Sequence, residues 1–453
     1  MKNFIQTLKN IYNIEDLRVR IINTLGFLLI YRFGSYVVLP GVDPGQLGAL
    51  QAQTKDGLLG LLNMLSGGAF SNASIFALGI MPYISASIVI QLLGLAIPYF
   101  QKLQKEGESG RKKITKFTRY LTVVITAAQA PAYIANLASQ LPSSAIYPFD
   151  PNSSMVSAFF VFSSVIILTT GTVFVMWLGE KITDKGLGNG ISLIIMAGII
   201  ARLPSALMYE FFSRLEDAGG GLVVFLVEIV FLMLVIIATI LLIQGTRKIP
   251  VQFAKRIVGN KQYGGVRQYI PLKVNSAGVM PIIFAQAIMF IPITLVGFAS
   301  SESLSGFAAA FSNFNGIWYN LTFAVLIIAF TYFYTAITIN PVQISEDMKK
   351  NGGFVPGIKP GKKTADFIDN IMSRIILPGS VFLAFVAIMP SIVSNVGVNS
   401  QFAQFYGGTS LLILVGVIID TLQQIESHLL MRHYDGFLKT GRIKGRTYAG
   451  MAG

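Results

Sequence analysis

The chain contains no cysteine and only two histidines in 453 residues. The missing thiols exclude disulfides and all thiolate chemistry, catalytic or metal-binding. His428 and His433 lie at one end of the last apolar run, and without cysteine they form no zinc set. Nor is any Ser-His-Asp arrangement suggested. Charge is scarce: 12% of residues are Asp, Glu, Lys or Arg, about half the fraction of an average soluble domain. A phosphate-binding loop is missing too. The nearest lookalike, GIKPGKKT at 357–364, spaces Gly357 and Gly361 four apart; the motif needs five and a preceding strand. ESGRKK at 108–113 fails the same test. No energy-coupling motor is encoded, and no catalytic residue, metal or cofactor is expected.

What the chain does have is apolar length. It is 53% hydrophobic with a mean hydropathy of +0.63, and apolar runs recur from end to end, the pattern of an all-α polytopic membrane protein with one membrane domain. The first run starts near Ile21 after an amphipathic stretch, with no small-residue cleavage site behind it, so no removable signal is expected. Ten spans are predicted, at 21–40, 74–98, 118–139, 156–180, 189–208, 221–244, 275–298, 317–340, 372–393 and 406–430. The alternate connections then divide sharply. Of the 35 Lys and Arg, 29 fall in the tails and in the 99–117, 181–188, 245–274 and 341–371 loops. On the opposite side stand three, Lys55, Arg202 and Arg214. That asymmetry predicts both termini in the cytoplasm and accounts for most of the net charge of +14. Ten spans make two halves of five, 1–208 and 209–453, which enter the membrane in opposite directions; inverted repeats commonly put a pathway at their interface.

One stretch fits no span. GLLGLLNMLSGGAF, beginning at Gly57, is too short and too broken by glycine to cross a hydrocarbon core that needs about 20 helical residues. It is either a re-entrant segment buried in something hollow or an extracellular loop helix. Ion-coupled transporters usually carry acids inside spans. Here Glu228 and Asp420 are the clearest, Glu180 and Glu426 lie near span ends, and Arg32 lies within the first span; snorkelling or packing against another helix is the favoured account of each. The polar residues of the candidate core are mostly neutral: Ser85, Ser87, Gln91, Thr126, Gln129, Asn275, Ser276 and Gln286. Each is ordinary interhelical glue; as a set they also suit an interface that comes apart. A passive channel driven by partners fits this pattern better than a secondary transporter of a small solute, which would need a compact polar pocket with carboxylates.

Long motifs then carry a resemblance. SGGAFSNASIFALGIMPYISASIVIQL, KEGESGRKKI, VMWLGEKITDKGLGNGISLII, PLKVNSAGVMP, GGFVPGIKPG and FYGGTSLLILVGVIIDT, in order along the whole chain, resemble the signature stretches of the SecY family, the central subunits of the bacterial protein-conducting channel. The resemblance implies ten helices in two inverted halves forming an hourglass in the cytoplasmic (inner) membrane. It implies a plug at 57–72, with Asn63, Met64, Leu65, Ser66, Gly67, Gly68, Ala69 and Phe70 in the matching motif. It implies a constriction of aliphatic side chains, here Ile80, Ile84, Ile191, Ile195, Ile283 and Ile413. A lateral gate between the second and third spans and the seventh and eighth would draw on Ser85, Ser87, Gln91, Thr126, Gln129 and Gln286, the last where the family has a smaller residue. Two cytoplasmic loops, 245–274 and 341–371, would dock partners. FAKRIVGNKQYGGVRQYIPLK at 253–273 reads as an exposed basic hairpin from its Gly259-Asn260 and Gly264-Gly265 turn signals; Lys255 and Arg256 match the family's tip contacts. Lys359 stands where the family has arginine, keeping charge but losing the bidentate fork. The partners implied are SecE and SecG, the SecA ATPase, the translating ribosome, signal sequences and nascent chains, membrane lipids, and SecDF and YidC.

Overall fold

The computed structural model describes residues 14–53, 60, 63–142, 145–146, 158–216, 221–253, 256–258, 261–263, 267–286, 288–289 and 315–440. Its described helices of eight or more residues are α1 (Glu15–Gly34), α2 (Met81–Ala96), α3 (Pro98–Lys105), α4 (Glu108–Gln140), α5 (Ala158–Lys185), α6 (Gly190–Glu216), α7 (Gly221–Gln244), α8 (Ile317–Thr338), α9 (Pro341–Lys350), α10 (Lys362–Asn395) and α11 (Gly408–Thr440). Seven of the described helices are long and apolar enough to cross a membrane, and α2 with α3 makes an eighth if that bent pair counts as one span. The seventh predicted span is described only as helix at 280–286 and 288–289. The chain is a multi-pass membrane protein.

The spans differ from their predicted bounds in ways that backbone chemistry explains. α1 stops at Gly34, and 35–47 run on as an outer strap that bridges Val38 to Ser74 and Val42 to Ile146. The second span is not helical from 74. Residues 66–80 are turns, and α2 starts only at Met81, with a proline in its first turn, where a missing N–H costs nothing. It breaks at Ile97, whose extended backbone (ψ 121°) precedes Pro98, the conformation proline imposes on its predecessor. ESGRKK is no loop but the first turns of α4, which begins behind Gly107 at φ +71°. α10 likewise begins in the basic segment, behind Gly361 at φ +98°.

Packing follows chain order. α4 lies between α2 and α5, α5 against α6 and α1, and α8 against α10; α6 touches both α7 and α11. On the face carrying the basic loops stand β1 (Thr246–Phe253), β2 (Arg256–Val258), β3 (Lys261–Tyr263), β4 (Arg267–Lys273) and β5 (Gly353–Phe354). β1 and β4 pair antiparallel, with Ile249 opposite Ile270. β2 and β3 pair with each other; the predicted turn signals Gly259-Asn260 and Gly264-Gly265 lie outside the described residues. β5 adds to the free side of β1, joining Gln252 to Phe354. Ile249, Val251 and Leu272 of this sheet bury against Met348, Ile368, Met372 and Ile376 of α9 and α10. The two basic loops are therefore one folded unit.

Candidate functional site

The site forms where the turns after residue 63 meet α1, α2, α6, the helical residues 280–286 and α11. Asn63 ties the turns to themselves. Its Oδ1 accepts from the Ser71 N–H (3.0 Å), and its carbonyl accepts from the Gly68 N–H (2.8 Å) and the Ser66 hydroxyl (3.1 Å). Gly67 and Gly68 take φ of +65° and +93°, a region glycine enters without steric cost. A Cβ on Gly67 would stand 2.7 Å from Gly198 Cα in α6, so two backbones approach there as only glycines permit. Met64 and Leu65 are buried in one apolar cluster with Ile80, Ile195 and Ile413, and Ile84 and Ile191 pack against it. Ala69 is fully buried in the same cluster, whereas Phe70 joins an outer cluster with Leu39, Ala73 and Tyr133. Of the predicted plug, 57–59, 61 and 62 lie outside the described residues.

On the basic-loop side of this cluster lies a cavity of about 520 Å³. Five of the six predicted ring residues, Ile84, Ile191, Ile195, Ile283 and Ile413, line it. Ile80 does not; it is buried in the same apolar cluster as Met64 and Leu65. Ile88, Leu412 and Val417 are among the other apolar lining residues, and Ser87, Gln91, Asn189, Lys273, Asn275 and Asp420 are among the polar ones.

Four side chains outside the predicted set hold the turns in place. The Tyr31 hydroxyl donates to the Ser66 carbonyl (3.1 Å), Arg32 Nη1 to the Gly67 carbonyl, Arg202 Nη2 to Ser71 Oγ (2.9 Å), and the Tyr133 hydroxyl to the Phe70 carbonyl (3.0 Å). Hydropathy marks Arg32 as an oddity in an apolar run; its acceptor, a backbone carbonyl 35 positions away, leaves no trace in sequence.

The six predicted gate residues separate. Gln91 Nε2 donates to Ser87 Oγ (3.3 Å), and the Tyr334 hydroxyl of α8 donates to Gln91 Oε1 (3.4 Å). This bond joins α2 to α8, and Tyr334 is the member that sequence reasoning missed. Beside it a cavity of about 190 Å³ is bounded by Gln91, Gln104, Phe284, Phe333 and Tyr334. Ser85 is half-buried on α2. Thr126 is buried and its hydroxyl donates to the Thr122 carbonyl of its own helix (2.7 Å), while Gln129 is exposed. Gln286 faces Met64, Leu65, Tyr319 and Asn320 around a void of about 30 Å³.

Two of the acids noted in the spans are paired with arginine. Glu180 takes both ends of the Arg119 fork (2.8 and 2.7 Å), and Glu228 Oε1 accepts from Arg214 (2.7 Å). Asp420 and Glu426 are exposed. In the basic loops, Lys255 lies outside the described residues and Arg256 begins β2. Lys359 is exposed, and its carbonyl accepts from Thr364 Oγ1 (2.9 Å). No group of three or more His, Cys, Asp or Glu able to hold a metal occurs among the described residues.

Isoleucines of several helices lining one cavity, with Met64 and Leu65 of a short glycine-broken element in the adjoining apolar cluster, define a multi-pass membrane protein built around an internal cavity. A solved structure of SecY, whose plug domain stabilizes the closed state of its translocation channel, superposes with a TM-score of 0.59 at 16% identity, covering 94% of this chain and 95% of that one. Sec61 from a canine ribosome-channel complex superposes at 0.53 and 16%, with the same coverage. The SecY family's sequence pattern matches residues 74–422. The protein translocase subunit SecY of Streptomyces scabiei is 43% identical over 441 residues, 94% of this chain and 98% of that protein. The chain belongs to the SecY family.

Proposed function

We propose that the chain is the channel-forming subunit of a bacterial Sec translocon. It passes unfolded secretory proteins across the cytoplasmic membrane through the isoleucine waist and releases membrane spans sideways between α2–α4 and the seventh span with α8. The observation that carries this reading is the shared wall: five isoleucines from four separate chain segments line one cavity, and Met64 and Leu65 are buried in the apolar cluster that adjoins it. Flexible aliphatic side chains can close around a passing chain without reading its sequence, and a dry waist holds ions back between clients.

In this reading the chain is not an enzyme. Energy comes from partners, the SecA ATPase, the ribosome and the proton motive force, and SecE and SecG accompany the chain; SecDF and YidC act beside it. The basic sheet faces the cytoplasm, both termini lie there, and the halves 1–208 and 209–453 are inverted copies about the pore. The exposed Lys359 and the basic strands at the tip suit an anionic partner surface, and the relative solved on a ribosome gives the ribosome as one such partner. A solute transporter is disfavoured because one carboxylate, Asp420, lines the cavity.

The test is ion leak from vesicles holding the chain with its small partner subunits. Ile84→Gly combined with deletion of residues 60–70 should leak well above wild type. Leak equal to wild type would remove both the ring and the plug assignments.

A further inference from the structure

The second half of α6 carries a polar row that docks a single segment. Arg202, Ala206, Glu210 and Arg214 recur at every fourth position, which stacks them along one face of the helix. That face meets the connection between α10 and α11, residues 396–407. Arg214 Nη2 donates to the Gly397 carbonyl (2.8 Å), and Glu210 Oε2 accepts from the Asn399 N–H (2.9 Å). Arg214 is matched in charge by Glu210 and Glu228. At the Arg202 end the direct bonds stop. A void of about 20 Å³ is bounded there by Arg202, Ser205 and Ala206 of α6 and by Gln401, Gln404 and Phe405 of the connection.

Arg202 is also a cation without an acid. Its Nη2 donates to Ser71 Oγ (2.9 Å), a neutral acceptor, and no ion pair among the described residues includes it. Arg32 adds to the excess, since its own acceptors are the Gly67 carbonyl and the Tyr36 hydroxyl. The two guanidiniums bracket one dipeptide: a Cβ on Gly67 would stand 3.4 Å from Arg32 Nη1, and a Cβ on Gly68 would stand 3.0 Å from Arg202 Nη2. Charge inside a span calls for a partner. Donors remain to receive one, because a guanidinium carries five N–H groups and a glutamine amide two. Ser205 is already committed, its hydroxyl donating to the Arg202 carbonyl (2.9 Å).

We propose that this void is a binding site for one small monovalent anion of the chloride type, held by Arg202 with the Gln401 and Gln404 amides. The site goes beyond the channel reading and does not depend on it. Size sets the class of ligand. The void has room for one water-sized species, so a bare halide enters and a phosphate or a lipid headgroup does not. Charge separates the ion from water: water would satisfy donors and leave the cation uncompensated, whereas an anion does both. The bound ion completes the row that Glu210 and Arg214 begin, and ties α6 to residues 400–406.

The experiment uses the purified full chain with its small partner subunits in detergent, at fixed sodium concentration, with chloride replaced stepwise by gluconate, which is too large for the void. The melting temperature should rise with chloride by about 2 °C and level off as the site fills, and bromide should act as chloride does. Arg202→Gln and Gln404→Leu should each remove the chloride dependence, while Lys105→Gln, at an exposed position of α3, should keep it. Chloride NMR supplies a second readout: wild type should broaden the chloride line more than Arg202→Gln does. Equal melting in chloride and gluconate, with equal line broadening by the two proteins, overturns the site and leaves water in the void. A chloride dependence that survives Arg202→Gln also overturns it, because the ion then binds elsewhere. If Arg202→Gln does not fold, Gln404→Leu and Gln401→Leu decide by the same comparison. None of these readouts needs transport, so a deletion of 60–70 that fails to leak would remove the channel reading and leave the anion site standing.

Discussion

Arg214→Met should destabilise the fold more than any surface charge change, and the size follows from its surroundings. Arg214 closes the end of α6 against α7 and the α10–α11 connection. Its Nη2 reaches Glu228 Oε1 at 2.7 Å and the Gly397 carbonyl at 2.8 Å. Its Nε stands 2.8 Å from Glu210 Oε1 without hydrogen-bond alignment, a contact ion pair. Glu210 also accepts from the Asn399 N–H (2.9 Å). The side chains of Arg214, Glu210 and Glu228 are 16%, 1% and 9% exposed, so the pairs are buried. Buried ion pairs are poor sources of net stability, yet removing one partner costs about 3–5 kcal/mol because a buried charge is left uncompensated. Here two carboxylates would face each other, which places the loss at the upper end of that range. The assay is the fraction of monodisperse protein after graded heating in detergent, compared with Glu228→Gln, Glu210→Gln and the triple variant Arg214→Met/Glu210→Gln/Glu228→Gln. The triple variant should recover most of the Arg214→Met loss, since an apolar or neutral replacement removes the charge rather than stranding it. A single variant as heat-stable as wild type, or a triple variant no better than the single, would refute the reasoning.

Gly198→Val should push the plug off its seat, because a Cβ there would stand 3.0 Å from Gly67 N and 3.1 Å from Leu65 O; vesicle ion leak rises, and unchanged leak contradicts the close approach. Tyr334→Phe removes one neutral bond across α2 and α8, about 0.5–1.5 kcal/mol; a less hydrophobic signal sequence should then be accepted, measured as passage of a graded series of signals. Lys255→Glu with Arg256→Glu should weaken binding of SecA and ribosomes, measured by co-sedimentation; undiminished binding argues against the tip of the hairpin as a dock.

Hydropathy is a good reader of apolar length and a poor reader of where a helix begins. α7 matches its predicted bounds at both ends because apolar sequence stops where its helix stops. α4 and α10 begin ten residues early, in charged sequence, because helices continue into water on amphipathic turns that a hydropathy scan discards. Residues 66–80 are apolar yet not helical: Gly67, Gly68 and Gly79 take positive φ there, and buried backbone is satisfied by Asn63, Tyr31 and Tyr133 instead of by a helix. The ring isoleucines were visible only through resemblance, since isoleucine is common in every span. The partners of Arg32 and Arg214 were invisible for different reasons. One is a carbonyl, and the other is a carboxylate on a helix that charge counting placed across a connection. Tyr334 was missed because an aromatic in a span reads as packing until a polar partner faces it.

The joining of β5 to β1 has a mechanical consequence. Strand β4 ends at Lys273, and the six turn residues 274–279 connect it to the helical residues from 280; β1 begins two residues after α7 ends. The sheet is thus a stiff handle with stems in α7, in the seventh span and in the α9–α10 pair. A torque applied anywhere on the handle reaches all of these stems together, and the seventh-span stem carries Ile283 on the cavity wall. A bound partner twisting the handle by a few degrees would turn the waist itself, without touching it.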